Sequence, residues 1–236
     1  MNLEFILIGV AAISLSITYI NTSFAFSVRV IGAVGSINAK SSNLSQALLI
    51  INSFFIAIAL SIIGYLLDIG TKPIKLNFLF ILSLIIILTG HLLMLLKFNL
   101  FQRLIEFLIK KYFKENLYKP KLEYNLISKN KINFIIFIAW TSYLIGFIFP
   151  AFLASYFNEY RTTLFQLSFV FNSLGTFLTI LIIEKKASIL ADQIPINTHS
   201  QSKIMEYLGL VLSNRAYASV LVLLVLMFIN FYNLYL

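Results

Sequence analysis

Apolar residues run in six long blocks along this chain, and polar residues interrupt them in two ways, in clusters between blocks and at helical spacing within them. The blocks cover about residues 3–30, 44–67, 76–96, 132–157, 162–183 and 208–232. About twenty apolar residues carry a helix across a bilayer. Backbone groups in lipid must find their partners within the segment, which favours helices. Nothing in the blocks alternates with period two, as barrel strands would. The pattern predicts an all-α, polytopic membrane bundle of six transmembrane helices, a single membrane domain over residues 1–236.

Periodicity singles out the fifth block. With Arg161 at zero and 100° per residue, Ser168, Asn172, Thr176 and Thr179 fall within about 60° of it. Thr162, Gln166 and Ser173 follow at about 100–140°, while the arc from about 180° to 300° is almost wholly apolar. One half of this helix suits lipid and the other needs protein or water. Gly175 on the polar half permits a close helix approach. The first block repeats the theme, with Ser14, Thr18, Asn21, Ala25, Arg29 and Gly32 on one stripe. The sixth opens with Asn214 and Arg215, about two turns from its start.

Between blocks three and four, residues 99–118 read as an amphipathic helix. Leu100, Leu104, Phe107, Leu108 and Ile109 alternate with Arg103, Lys110, Lys111 and Lys114. Such a helix lies in the membrane interface, with partner docking as the alternative.

Composition narrows the class. The chain is 60% hydrophobic and 11% charged, against about a quarter charged for a soluble domain. It has no Cys, which excludes disulfides and thiolate metal sites. The net charge of +9 is explained by loops and anionic lipid rather than by nucleic acid. Fourteen Lys and Arg lie on one side of the bundle: Arg29 and Lys40, nine from Lys97 to Lys131, and Lys185, Lys186 and Lys203. Lys72, Lys75 and Arg161 lie on the other. The positive-inside rule then puts both termini outside and the central loop in the cytoplasm. The opening "MNLEF" lacks the positive n-region of a signal peptide, so the first block reads as a retained helix.

Candidate chemistry is sparse. No HExxH, Walker A or nucleophile elbow occurs, so no catalytic residue, metal site or cofactor is expected. His91 and His199 are too far apart in the chain to suggest a metal pair. His91 reads as a capped or buried histidine ahead of a proton relay, Pro150 as a helix kink, and Trp140 and Tyr143 as packing aromatics ahead of cavity lining. Ser, Thr and Asn in membrane helices ordinarily act as glue worth about 0.6 kcal/mol per bond, which accounts for Ser14, Ser53, Ser61 and Ser83. The arginines ask for more, since a cation at the bilayer centre costs roughly 2.5–3.5 kcal/mol. Arg29, Arg161 and Arg215 lie near block ends, where snorkelling and an anion site in a wet cavity both remain open. Asp192 has two readings, a helix cap or a partner for Arg215.

Three stretches together resemble one family. "RTTLFQLSFVFN" at Arg161–Asn172 resembles the Arg-Thr-Thr, Gln-Leu-Ser and Asn signature of the Amj (alternate to MurJ) proteins, alternate lipid II flippases of bacteria. "NTSFAFSVRVIG" at Asn21–Gly32 resembles that family's first block, and "ASILADQ" with "LSNRAYAS" resembles the lead into its last helix. The order and spacing agree over nearly the whole chain. The chain departs in having Ala33, Val34 and Gly35 where the family has a second basic residue, and Glu184-Lys185 where it has Asp-Pro. It is also somewhat shorter, and these departures bear on the headgroup carried.

The resemblance implies a flippase that moves undecaprenyl-pyrophosphate-linked sugar from the cytoplasmic to the outer leaflet of the bacterial inner membrane. Arg29 and Arg215 would capture pyrophosphate and Arg161 would release it. Asn21, Thr162, Gln166, Ser168, Asn172 and Asp192 would complete the substrate path. Another polyprenyl-linked glycan, a non-transporting membrane subunit and an intramembrane enzyme are the competing expectations. Three spans on each side of the central loop would invert one half relative to the other, and six helices are few for a large headgroup, so a homodimer is also considered.

Overall fold

The computed structural model describes residues 3–35, 37–113, 131–194 and 199–235. Eight α-helices account for nearly all of them: α1 (Leu3–Val34), α2 (Asn38–Asp68), α3 (Pro73–Leu96), α4 (Phe98–Phe113), α5 (Lys131–Tyr156), α6 (Arg161–Leu178), α7 (Lys185–Asp192) and α8 (His199–Tyr235). A π-helical segment, Thr179–Glu184, joins α6 to α7 without a break. Among the described residues, six helical stretches are long and apolar enough to cross a membrane. The protein is an all-α, multi-pass membrane bundle, as the block pattern predicts.

Four spans are inner and two are outer. In α1, α3, α5 and α8, 39–44% of the most apolar window is buried, against 17% in α2 and in the span that α6 begins. α2 rests on α1 and α6 rests on α5. The third helix of each half, α3 or α8, packs on the first helix of its own half, and α3 packs on α8. The two halves therefore repeat one pattern of neighbours. Since each half has three spans, they run in opposite directions across the membrane.

Local sequence explains the joints. α2 ends in a Schellman motif, where Gly70 N–H bonds the Leu67 carbonyl and Thr71 N–H the Leu66 carbonyl. Gly70 has φ 72°, a conformation that costs glycine nothing. Pro73 then starts α3 at a position that needs no N–H donor. α5 and α6 meet backbone to backbone. A Cβ on Gly175 would lie 2.8 Å from the Tyr143 nitrogen, and one on Gly146 2.8 Å from the Asn172 nitrogen. α5 continues as a helix through Pro150.

Several helices outrun their apolar blocks. α8 begins at His199 rather than near residue 208, α2 at Asn38 rather than near 44, and the fifth span continues through α7 to Asp192. The reason is packing. Ile204, Met205, Leu208, Val211 and Leu212 of α8 join Phe26, Val30 and Ile31 of α1, Ile183 and Ala187, and the buried face of α4 in one apolar cluster. Packing there stabilises turns that composition alone would leave as loop. Arg215 is consequently sixteen residues, about 24 Å, from the start of its helix rather than two turns.

α4 has three faces. Phe98, Phe101, Ile105 and Ile109 are buried against the bundle, with Phe101 edge-on to Phe24 of α1. Leu100, Leu104 and Phe107 are exposed on a second face. Gln102, Arg103, Glu106 and Lys110 fill the third. A helix at the edge of a bundle in the membrane interface meets protein, lipid and water in this way. The expected helix extends to residue 118; residues 114–130, with Lys114, Lys119, Lys121 and Lys129, lie outside the described residues.

The α5–α6 approach predicts that Gly175→Leu separates the two helices. Overpacking of this kind costs about 1–3 kcal/mol, read as a lowered thermal midpoint of the purified protein in detergent. A Leu at Gly64, where a Cβ meets nothing within 4 Å, leaves the midpoint unchanged.

Candidate functional site: a lateral cavity with a buried arginine

The core is divided into two apolar clusters. One holds Leu15 and Tyr19 of α1, Leu84 and Ile87 of α3, Trp140 and Leu144 of α5, and Ala218 and Val222 of α8. The other gathers at the α4 end. Between them on three helices lie Ser23, His91 and Arg215, all buried. Arg215 is 1% exposed.

The guanidinium is held from two sides. Nη1 of Arg215 donates to Ser23 Oγ at 2.7 Å. The Ser23 hydroxyl donates to His91 Nε2 at 2.6 Å, and His91 Nδ1 donates to the Ile87 carbonyl at 2.9 Å. The tautomer with its proton on Nδ1 satisfies both imidazole contacts. The Arg215 guanidinium carbon lies 4.2 Å from the Trp140 ring centroid and 5.6 Å from that of Phe26. Desolvated cation–π contacts contribute about 2 kcal/mol. Arg215 Nε and Trp140 Nε1 are buried without a hydrogen-bond partner. Both are donors, so both ask for an acceptor.

These donors belong to residues at the back of a cavity of about 300 Å³. Thr22 and Phe26 of α1, Trp140 and Tyr143 of α5, and Arg215 form its inner wall. Ser45, Leu49, Asn52, Ser53 and Ile56 of α2 form one side, and Thr176, Thr179, Ile180 and Glu184 form the other. Leu49, Ser53, Thr176 and Ile180 at the rim are exposed. The outer helices each pack on an inner one rather than on each other. The cavity therefore opens sideways, between α2 and α6, where a bilayer would lie.

Asparagines fix the α2 side. Asn21 Nδ2 donates to the Leu48 carbonyl at 2.7 Å and to Asn52 Oδ1 at 3.3 Å. Asn52 Nδ2 donates to Thr22 Oγ1 at 2.8 Å. The π segment shapes the other side. On an uninterrupted α-helix Glu184 would lie about 80° round from Thr176; wider i→i+5 turns take up part of that rotation. Tyr207 of α8 braces the segment by donating to the Ile183 carbonyl at 3.1 Å.

Glu184 has two sides. It lines the cavity, and it forms an ion pair with Arg29 of α1. Nη2 of Arg29 also donates to Ser188 Oγ at 2.6 Å. Arg29 borders a smaller crevice toward the α4 end, with Ala187 and Ser188. The Arg29–Glu184 pair thus stands between the cavity and that end of the bundle.

The other expected site residues are dispersed. Ser168 is buried in α6, bonded to the Phe165 carbonyl, and the Asn172 backbone meets Gly146. Thr162 and Gln166 are exposed and do not line the cavity. Arg161 lies at the far end of α6, 3.9 Å from Asp68 at the end of α2. Asp192 is exposed at the end of α7 and does not pair with Arg215, which is enclosed by Ser23, Phe26 and Trp140. The structure joins Arg215 directly, Asn21 through Asn52, and Arg29 through Glu184. Ser23, Asn52 and Glu184 are not singled out by the sequence pattern, and Trp140 and Tyr143 take the cavity-lining role over which the sequence favours packing; the one signal for Glu184 is a carboxylate closing an apolar run.

A buried charge held for function opposes stability. Replacing buried ionic groups by apolar residues of similar volume is often neutral or stabilising by about 1–4 kcal/mol. Arg215→Met is therefore expected to keep or raise the thermal midpoint, whereas Trp140→Ala lowers it. A clear fall with Arg215→Met would mean that the guanidinium is a structural support.

Comparison with protein-family models, curated proteins and solved structures finds no match to this chain.

Proposed function

We propose that this protein is a flippase for undecaprenyl-pyrophosphate-linked sugar, the lipid II class of peptidoglycan precursor. It would move its cargo from the cytoplasmic to the outer leaflet of the bacterial inner membrane. The observation that carries the reading is Arg215, a buried guanidinium with an unpartnered donor, at the back of a cavity that opens toward lipid. Phosphate suits guanidinium because the fork offers paired, charge-assisted donors. A lateral opening suits a cargo whose tail stays among acyl chains while its head enters the protein.

In this reading the α4 end, with its basic residues, faces the cytoplasm and both termini lie outside. The cargo's pyrophosphate enters between α2 and α6 and binds Arg215 and Trp140 Nε1. Asn52, Thr176 and Thr179 meet the first sugar. Arg29 lies one ion pair away from the site, and Arg161 with Asp68 marks the exit at the outer end. The cavity is at the lower limit of the roughly 300–1,000 Å³ of small-molecule pockets. It takes a pyrophosphate and part of one sugar, so the rest of the headgroup requires α2 and α6 to part. The lining recognises phosphate more than any particular sugar, and another polyprenyl-linked glycan is the second reading on the same observation.

The deciding experiment depletes a bacterium of its resident lipid II flippase and supplies this chain. The wild type is expected to restore growth, and Arg215→Gln to lose at least tenfold in plating efficiency at equal membrane expression. Gln166→Ala, on the exposed face, is expected to behave as wild type. Failure of the well-expressed wild type would overturn the lipid II assignment, and full rescue by Arg215→Gln would overturn the anion site.

A further inference from the structure

The charges around the cavity do not balance for a pyrophosphate. Arg215 contributes one buried cation, and Arg29 and Glu184 cancel as an ion pair. The sum is one positive charge, while a pyrophosphate diester carries two negative charges. An uncompensated charge is what a low-dielectric interior tolerates least. The cavity as it stands is neutralised by a single phosphate, and a second needs one more positive charge.

Glu184 is where that charge can arise. Its carboxylate lines the cavity on one side and holds Arg29 on the other. From α1 it faces Arg29 and Thr22, and from α8 Arg215 and Tyr207. Across the cavity stand Trp140 and Tyr143 of α5 and Ser45 and Asn52 of α2. Its own helix supplies Ser188, Lys185 and Lys186, the last with its ammonium 5.5 Å from the Tyr207 ring centroid. Glu184 is the one carboxylate of this set. His91 lies behind Ser23 and the edge of Trp140, and both of its ring nitrogens are engaged.

We propose that Glu184 is a proton site coupled to cargo binding. As the pyrophosphate enters, the Glu184 carboxylate takes one proton from water and becomes a carboxylic acid. Its ion pair with Arg29 breaks, and the Arg29 guanidinium turns toward the cavity. Two cations, Arg29 and Arg215, then face two anionic phosphates. On release the proton returns to water and the Arg29–Glu184 pair forms again. One proton accompanies each cargo outward, against an inward proton gradient, while one net negative charge leaves per cycle, so a membrane potential negative inside favours the transfer. The cavity discriminates between lipids by phosphate number as well, since a single phosphodiester is balanced by Arg215 alone. This inference rests on the pyrophosphate reading above.

The test uses the purified full chain in lipid nanodiscs. The probe is farnesyl-pyrophosphoryl-N-acetylglucosamine, a diester with no ionisation of its own near neutral pH. Trp140 is the only tryptophan, so its fluorescence reports occupancy of this cavity. A pH indicator in weak buffer counts protons. The wild type is expected to take up about one proton per probe bound, with affinity falling about tenfold per pH unit on the alkaline side. Glu184→Asp keeps both. Glu184→Gln binds without proton uptake and without the slope. Farnesyl-phosphoryl-N-acetylglucosamine, with one phosphate, binds the wild type without proton uptake.

Binding by the wild type with no proton uptake, or an unchanged slope in Glu184→Gln, would overturn the proton site and leave the pyrophosphate reading standing. No binding of the probe at any pH would overturn that reading, and the proton site with it. Should Glu184→Gln fail to fold, the wild-type proton count and Glu184→Asp decide the matter.

Discussion

A guanidinium enclosed between two apolar clusters organises this molecule. Burying Arg215 is unfavourable by itself, and the surrounding residues are arranged to offset that cost. Trp140 and Phe26 supply π faces, Ser23 accepts one hydrogen bond, and His91 holds Ser23 in place by way of the Ile87 carbonyl. Four helices contribute to this support: α1, α3, α5 and α8. They are the four inner spans, so the requirement to house one cation coincides with the packing of the core. The cavity lies on the side where that enclosure is incomplete.

The second charged feature is of a different kind. Arg29 and Glu184 are each about a quarter exposed, and their pairing is one of mutual neutralisation. A partly wet ion pair has a small net stability, because desolvation and attraction nearly cancel. It can open without disturbing the fold, whereas Arg215 cannot leave its enclosure. Two arginines at neighbouring depths thus have distinct physical roles, one fixed and one exchangeable.

Much of the fold was legible in the sequence because a bilayer imposes strong rules. Six apolar blocks of the right length became six spans, and the mixed pattern over Phe98–Phe113 became a helix with a wet face. The stripe on the first span was also informative: Asn21 and Arg29 do meet other helices through polar groups. The fifth span was only half legible. Thr176 and Thr179 reach the cavity, but Thr162 and Gln166 on the same polar half are exposed. A helical wheel assigns faces and not neighbours, and it assumes one period throughout. The π segment breaks that period where Glu184 is placed. The depth of Arg215 was missed because α8 begins well before its apolar run, stabilised by contacts with residues distant in the chain. Ser23, His91 and Arg215 converge across nearly two hundred residues, and no local pattern encodes that meeting.

The two outer helices have a further physical meaning. Each is fastened along one flank only, α2 by the asparagine clamp on α1 and α6 by the glycine seam on α5. Their remaining flanks are bordered by whatever fills the surrounding membrane. A guest that wedges them apart compresses hydrocarbon rather than protein core. The elasticity of the membrane itself, and so its acyl-chain length and unsaturation, becomes part of the work of admitting the guest.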